Sequence, residues 1–246
     1  MKSRCTGLSD PGLVRPVNQD AFYIDPDGRF FIVADGMGGH AGGEEASWIA
    51  TDAIKSYLNE YWDSQEESPV LAEAAFWKAN QAIVQDQREH PERSDMGTTA
   101  VVVLFREEQA LVAHVGDSRL YRLRAEKLEK ITEDHTWVAR ALKSGVLSPS
   151  QAKIHPWRHM LSQCLGREDL GQVEIQSLDV EVGDRLLLCS DGLTEELSDI
   201  AIASYLQSPL CETAATDLIE AAKEQGGRDN ITTVVVAIEE FIDKQN

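Results

Sequence analysis

The sequence predicts an α+β protein in which two antiparallel sheets pack face to face and helices cover the outside. Three observations lead there: strands outnumber the helices available as crossovers, the helices come in consecutive pairs, and the middle of the chain is a run of closely spaced strands. An alternating βαβ order is not read, so a parallel sheet is not expected. At 246 residues one domain is expected, because mixed sandwiches reach this size undivided.

Ala21-Phe22-Tyr23-Ile24 reads as a strand, Asp25-Pro26-Asp27-Gly28 as a turn and Phe30-Phe31-Ile32-Val33-Ala34 as a buried strand, a hairpin over 20–35. A helix from about Glu44 to Tyr61 carries Ala46, Ile49, Ala50, Ala53, Tyr57 and Tyr61 at three- and four-residue steps, one buried stripe. A second, from about Val70 to Arg88, does the same through Leu71, Ala74, Ala75, Ala82 and Ile83. Thr98–Phe105, Ala110–Val115, Leu120–Leu123 and Lys127–Lys130 follow as a meander. Residues 134–166 read as helical and irregular, broken by Gly145, Pro149 and Pro156. Strands return at Val173–Val180 and Arg185–Cys189, helices near Glu195–Leu206 and Glu212–Glu224, and the β-branched Ile231–Ile238 closes the chain.

Hydrophobic residues make up 42% and charged residues 26%, the composition of a chain that buries a core. The net charge of -19 repels nucleic acid and anionic membranes, and a phosphorylated substrate as well. A site that handles phosphate must here be neutralised locally, by Arg, Lys or bound cations. The four cysteines lie far apart without a CxxC pair, so neither zinc nor redox chemistry is marked. The N-terminus has no apolar signal-peptide core, and the longest apolar runs are too short to span a bilayer. A cytoplasmic protein is expected.

The informative pattern is where Asp falls. Phe30–Ala34 leads into Asp35-Gly36, Leu186–Ser190 into Asp191-Gly192, Ala113–Gly116 into Asp117-Ser118, and Arg228-Asp229-Asn230 opens into Ile231–Val235. Each puts a carboxylate at a strand end. Any one of them is ordinary turn chemistry; the set is not. Carboxylates gathered at one rim repel one another unless a cation sits between them, and oxygen-only ligands suit Mg2+ or Mn2+ rather than Zn2+. Gly36 permits close approach, so its carbonyl also faces a ligand. Upstream, Arg15 offers a planar fork for a phosphate, and Asp20 adds a carboxylate before the hairpin.

Competing motifs fit less well. Gly36-Met37-Gly38-Gly39-His40-Ala41 matches G-x-G-x-x-A, but Asp35 would abut a pyrophosphate and a hairpin surrounds it. Asp25-Pro26-Asp27-Gly28 has its glycine too early for a calcium loop. There is no Gly-x-Ser-x-Gly and no Cys-x5-Arg, so no covalent nucleophile is evident. Among the histidines, His114 reads as core, His90 and His155 as surface or helix ends, and His135 as structural at a helix start. His40 follows the glycine turn after Asp35 and overlooks the predicted site.

Together Arg15-x-x-Asn18-Gln19-Asp20, Asp35-Gly36-Met37-Gly38-Gly39-His40, Gly97-Thr98-Thr99, Val115-Gly116-Asp117-Ser118-Arg119, Ser190-Asp191-Gly192 and Arg228-Asp229-Asn230 resemble the protein phosphatase 2C (PPM) family, in family order over about residues 6–238. Within it the chain is similar to the compact bacterial type, and most to phosphatases of the PII signal protein. The resemblance implies a four-layer α-β-β-α sandwich, a single PPM-type domain over 1–246 with a flap subdomain at about 136–166, and a metal cluster at one end. By the same resemblance Asp35 bridges two ions, the Gly36 carbonyl ligates the first, and Asp191 and Asp229 ligate the second. Asp20 holds water, and Asp117 with Asp191 supplies a weaker third site. The implied activity is hydrolysis of phosphoserine or phosphothreonine in bacterial signalling, with phosphorylated PII as the candidate protein substrate. Hydroxide between two Mg2+ or Mn2+ ions attacks phosphorus, Arg15 orients the group and His40 protonates the leaving alkoxide. The alternative is a catalytically weak phosphatase-like regulatory module that binds phosphoproteins. A monomer is expected, since no obligate interface is marked.

Overall fold

The computed structural model describes residues 2–39, 42–107 and 109–240. Along the first half run β1 (Lys2–Asp10), β2 (Asp20–Ile24), β3 (Phe30–Met37), α1 (Gly42–Tyr61), α2 (Ser68–Glu89), β4 (Gly97–Thr98), β5 (Ala100–Arg106) and β6 (Gln109–Val115). Then come β7 (Arg119–Arg124), β8 (Lys127–Lys130), α3 (Trp137–Lys143), α4 (Pro149–Lys153) and β9 (Glu174–Ser177). The chain ends with β10 (Arg185–Cys189), α5 (Asp191–Glu196), α6 (Asp199–Leu206), α7 (Cys211–Gln225) and β11 (Ile231–Glu240).

The strands form two antiparallel sheets, one ordered β1-β11-β10-β7-β8 and the other β2-β3-β5-β6-β9 with β4 beside β3. Alternation along each strand sorts side chains into three cores. On β3, Phe30 and Ile32 face α1 and α2, while Phe31 and Val33 face the other sheet. On β10, Leu186 and Leu188 join Phe31 between the sheets, while Leu187 and Cys189 pack under α5–α7. The α-β-β-α layering therefore follows from a period of two in strands buried on both faces.

Several elements differ from the expectation. β1 is unpredicted: its sequence lacks an apolar run, and it forms because β11 supplies a full ladder from Ser3↔Ile238 to Asp10↔Ile231. β3 continues through Asp35 to Met37, since Gly36 and Met37 pair with Thr98 and Gly97. The helix expected near 195–206 is two, because Ser198 accepts from Ala201 N and starts α6 anew. Between Thr136 and Leu161, which form a β-bridge, the chain leaves the sandwich and returns. There Trp137, at the start of α3, stacks on His155, two residues past the end of α4, at 4.8 Å between ring centroids. Among the described residues no helix is long and apolar enough to cross a membrane.

Candidate active site

The strand ends that carry aspartates meet at one end of the sandwich. Asp20 opens β2 directly opposite Asp35 on β3. Asp35 is held by its backbone: its N donates to Thr99 Oγ1 at 3.0 Å, and its carbonyl accepts from Thr98 Oγ1 at 2.8 Å and Thr99 N at 2.9 Å. At Gly36 a Cβ would lie 1.9 Å from the Gly43 carbonyl oxygen, so only glycine lets β3 pass the start of α1. Ser190 ties the two sheets together here, donating to Asp20 Oδ2 at 2.7 Å and accepting from Thr232 N at 3.0 Å. Asp191 then begins α5, and Gly192 leaves room for the Asn230 carbonyl, which a Cβ would meet at 2.0 Å.

Asp229 precedes β11 and accepts from Arg15 Nη2 at 2.7 Å. Asn230 pins the 11–19 loop beside it, with Oδ1 accepting from Gln19 N at 2.8 Å and Nδ2 donating to Pro11 O and Val17 O. Asp117 sits on the Gly116–Ser118 turn between β6 and β7, which crosses from one sheet to the other.

Burial is the leading cause that pushes these carboxyls up, and their neighbours add to it. Asp35 is held well above the usual carboxylate range by burial, then by Asp20, Asp191, Asp117 and Asp229. Asp20 is pushed up to about 7 by burial, against hydrogen bonds from Ser190 and Thr232 that favour its charge. Asp117 is raised by burial and by Asp191 and Asp134, with Arg119 opposing. Asp191 is raised by burial and Asp229, and a hydrogen bond with Asp35 opposes. Each group feels the others, so the side chains share one field. Asp20 Oδ1 is buried with no hydrogen-bond partner. A dense set of hard oxygen donors with an orphaned acceptor fits Mg2+ or Mn2+ and their water.

The raised values set the pH dependence of stability without added cations. A carboxyl with a raised folded-state value binds more protons folded than unfolded. Stability is then present at acid pH and lost as pH rises through the folded value. For Asp20, raised from 3.8 to about 7, the loss between about pH 5 and pH 8 is on the order of 2–3 kcal/mol. The thermal midpoint in EDTA is expected to fall by about 5–10 °C over that range, and by less in Asp20→Asn. A midpoint that rises with pH would contradict the burial of these groups.

Most of the expected site is brought together: Asp20, Asp35, Gly36, Asp117, Asp191 and Asp229 converge, with Arg15 at the edge engaged by Asp229. His40 lies outside the described residues. Glu195 and His159 are not among the expected site residues, and Asn230 is expected only as part of the Arg228-Asp229-Asn230 motif. Glu195 stands one helical turn after Asp191, a spacing that puts both on one face of α5. Burial, Asp191 and Asp229 push it up to about 7. Its Oε1 is 2.5 Å from His159 Nδ1, and ligand atoms of His159, Asp191 and Glu195 lie within 4.8 Å of one another. No local signal marks His159, which is carried here by the excursion between Thr136 and Leu161. Among the other histidines, His114 is buried in β6 as expected, yet its Nδ1 has no partner, and His135 precedes the Thr136 cap of α3.

Known proteins resemble this chain in sequence and in fold. A family model described as Protein phosphatase 2C matches residues 15–231. The serine/threonine protein phosphatase PstP of Mycobacterium tuberculosis is 37% identical over 240 residues, 97% of this chain, and the chain spans 45% of that protein's length. The protein phosphatase PhpP of Streptococcus pneumoniae is 36% identical over 244 residues, 95% of this chain and 96% of that protein. The crystal structure of M. tuberculosis PstP superposes with a TM-score of 0.87 at 37% identity, covering 97% of this chain and 99% of that one. A PstP catalytic domain in complex with two manganese ions superposes at 0.85 with 34% identity, covering 97% and 99%. With a match that runs from Arg15 through every converging aspartate to Ile231, the chain belongs to the protein phosphatase 2C family.

Proposed function

We propose that this chain is a metal-dependent protein serine/threonine phosphatase of bacterial signalling, acting as a monomer on cytoplasmic phosphoproteins. The observation that carries the reading is the convergence of Asp20, Asp35, Asp117, Asp191 and Asp229: burial and neighbouring carboxylates hold the first four above the usual range, and Asp229 is one of the neighbours that act on Asp35 and Asp191. Two Mg2+ or Mn2+ ions would relieve that repulsion, and the groups that would hold them are the Asp35 carboxylate, the Gly36 carbonyl, Asp191 and Asp229. Asp117 with Asp191 holds a weaker third ion. The two manganese ions in the PstP structure support the count of two.

When bound, the ions lower the pKa of water and offset charge on the phosphoryl oxygens. The chain's own groups do the rest. Asp20 Oδ1, buried and unpaired, accepts a hydrogen bond from water and orients it. Arg15 answers the net charge of -19: with one Nη2 hydrogen on Asp229, its remaining donors receive phosphoryl oxygens. His40 gives the proton that the serine or threonine alkoxide needs to leave. The segment at about 136–166 is a flap subdomain within a single domain over 1–246, and phosphorylated PII is the candidate substrate, supported by the sequence resemblance.

The test is phosphate release from phosphoserine and phosphothreonine peptides and from a panel of phosphoproteins that includes phosphorylated PII, each with Mn2+. Arg15→Ala is expected to raise KM about tenfold with kcat within about threefold, the loss of one charged hydrogen bond. Unchanged KM returns Arg15 to a surface role. Binding of phosphoproteins without any phosphate release would favour the regulatory-module alternative.

A further inference from the structure

Asp117 rides on a crossing between sheets rather than on a hairpin. β6 belongs to one sheet and β7 to the other, so Gly116–Ser118 has no ladder of its own. Gly116 has φ +104, and a Cβ there would lie 2.5 Å from Thr99 Cγ2. Its conformation needs glycine. The turn is held on one side by Ser118 Oγ, 2.6 Å from Thr99 Oγ1, and on the other by the neighbouring stretch 131–135, laid along it like a splint. Ile131 N donates to Leu120 O at 2.8 Å, and Leu120 N donates to Thr132 Oγ1 at 3.1 Å. The Asp134 carboxylate takes Arg119 Nε and Nη2 at 3.0 and 2.7 Å.

The splint ends on His135. Its N donates to Gly116 O at 3.0 Å, and Gly116 N donates back to His135 Nδ1 at 3.1 Å. The ring is fixed from two further sides. Nε2 lies 3.2 Å from Glu174 Oε2, and the ring stacks on His114 at 4.6 Å between centroids. His114 is itself oriented, with Nε2 donating to Glu133 O at 2.9 Å. His135 O also accepts from Ser162 N at 2.8 Å, at the base of the 136–161 excursion.

Ligand atoms of His114, His135 and Glu174 lie within 4.8 Å of one another, close enough for a metal. Tautomer logic argues against one. A main-chain N–H points at His135 Nδ1, so the proton of the ring lies on Nε2 and points at Glu174. An ion on Nε2 would have to displace that proton and leave an imidazolate. The arrangement is instead a chain of hydrogen bonds from Glu174 through the ring to the Gly116 peptide.

We propose that His135 is a positioning residue for Asp117: its Nδ1, oriented by Glu174 and His114, sets the Gly116 peptide and thereby the direction in which the Asp117 carboxylate faces Asp191. The inference rests on the reading that Asp117 and Asp191 share the third, weaker cation. Loosening His135 then weakens that ion and leaves the pair held by Asp35, Asp191 and Asp229 intact.

The test counts bound Mn2+ on metal-stripped protein by EPR of the free ion, alongside phosphatase rate against Mn2+ concentration, in wild type, Asp117→Ala, His135→Ala and His135→Asn. His135→Ala is expected to weaken the low-affinity class about tenfold, the loss of one net hydrogen bond, with the half-activating Mn2+ concentration shifted alike. The high-affinity class stays as it was. His135→Asn, whose Oδ1 can accept from Gly116 N, is expected to stay within about threefold of wild type. The proposal is overturned if His135→Ala binds Mn2+ like wild type, if its rate falls by one factor at every Mn2+ concentration, or if Asn rescues nothing. Should His135→Ala not fold, Glu174→Gln is read in its place: a weaker low-affinity class of about threefold supports the proposal and no change overturns it. A low-affinity class that survives in Asp117→Ala sinks the third-ion reading itself, whatever His135 does.

Discussion

EDTA is expected to bring hydrolysis of a simple aryl phosphate to background, and Mn2+ or Mg2+ to restore it. The expectation follows from what the chain offers besides its carboxylates, which is little. Burial raises all four thiols, with Cys164 at about 11 and Cys189 at about 12, so thiolate is scarce at neutral pH. Arg15 alone cannot activate water. Asp20 and Glu195, both near 7, can take a proton but cannot withdraw charge from phosphorus. Catalysis is then expected to depend on cations held among Asp35, Asp191 and Asp229, with a rate that follows their occupancy. An enzyme that turns over at full rate after thorough chelation would refute the proposed chemistry.

Asp191→Ala and Asp229→Ala are each expected to lower kcat/KM about 10³-fold for phosphopeptide while circular dichroism stays unchanged, the scale of losing one electrostatic stabiliser of the transition state. Their effects on stability should diverge. Asp191 is raised by burial and by Asp229, so at pH 8 without cations its charge is a cost that alanine removes. Its replacement should leave the metal-free thermal midpoint unchanged or higher. Asp229 accepts from Arg15 at 2.7 Å and from Asn230 N at 2.8 Å. Alanine there gives up both bonds and should lower the midpoint by a few degrees, since about 1 kcal/mol shifts it by about 2–4 °C at this size. Near-normal turnover in either variant would remove that residue from the ligand set.

The layers and the converging aspartates were legible because both rest on local pattern. Phe30–Ala34 and Leu186–Cys189 are apolar without interruption, which marks strands covered on both faces, and Asp35 follows the first directly and Asp191 the second after Ser190. β1 was not legible. Lys2–Asp10 is held by the ladder that β11 offers from the other end of the chain, and nothing in its own residues encodes that partner. The break at Ser198 was present in the sequence as an N-cap, but apolar spacing across 195–206 hid it.

From the order of residues alone came the sandwich, the converging aspartates and the phosphatase 2C kinship, because strand periodicity and motif spacing are properties of short segments. Folding decided the rest: that Arg15 rests on Asp229, that His159 and Glu195 stand beside Asp191, and that His135 splints the Asp117 turn. Those contacts join residues from elements distant along the chain. Their distances and the protons they share depend on how the two sheets close against each other, which no local stretch specifies.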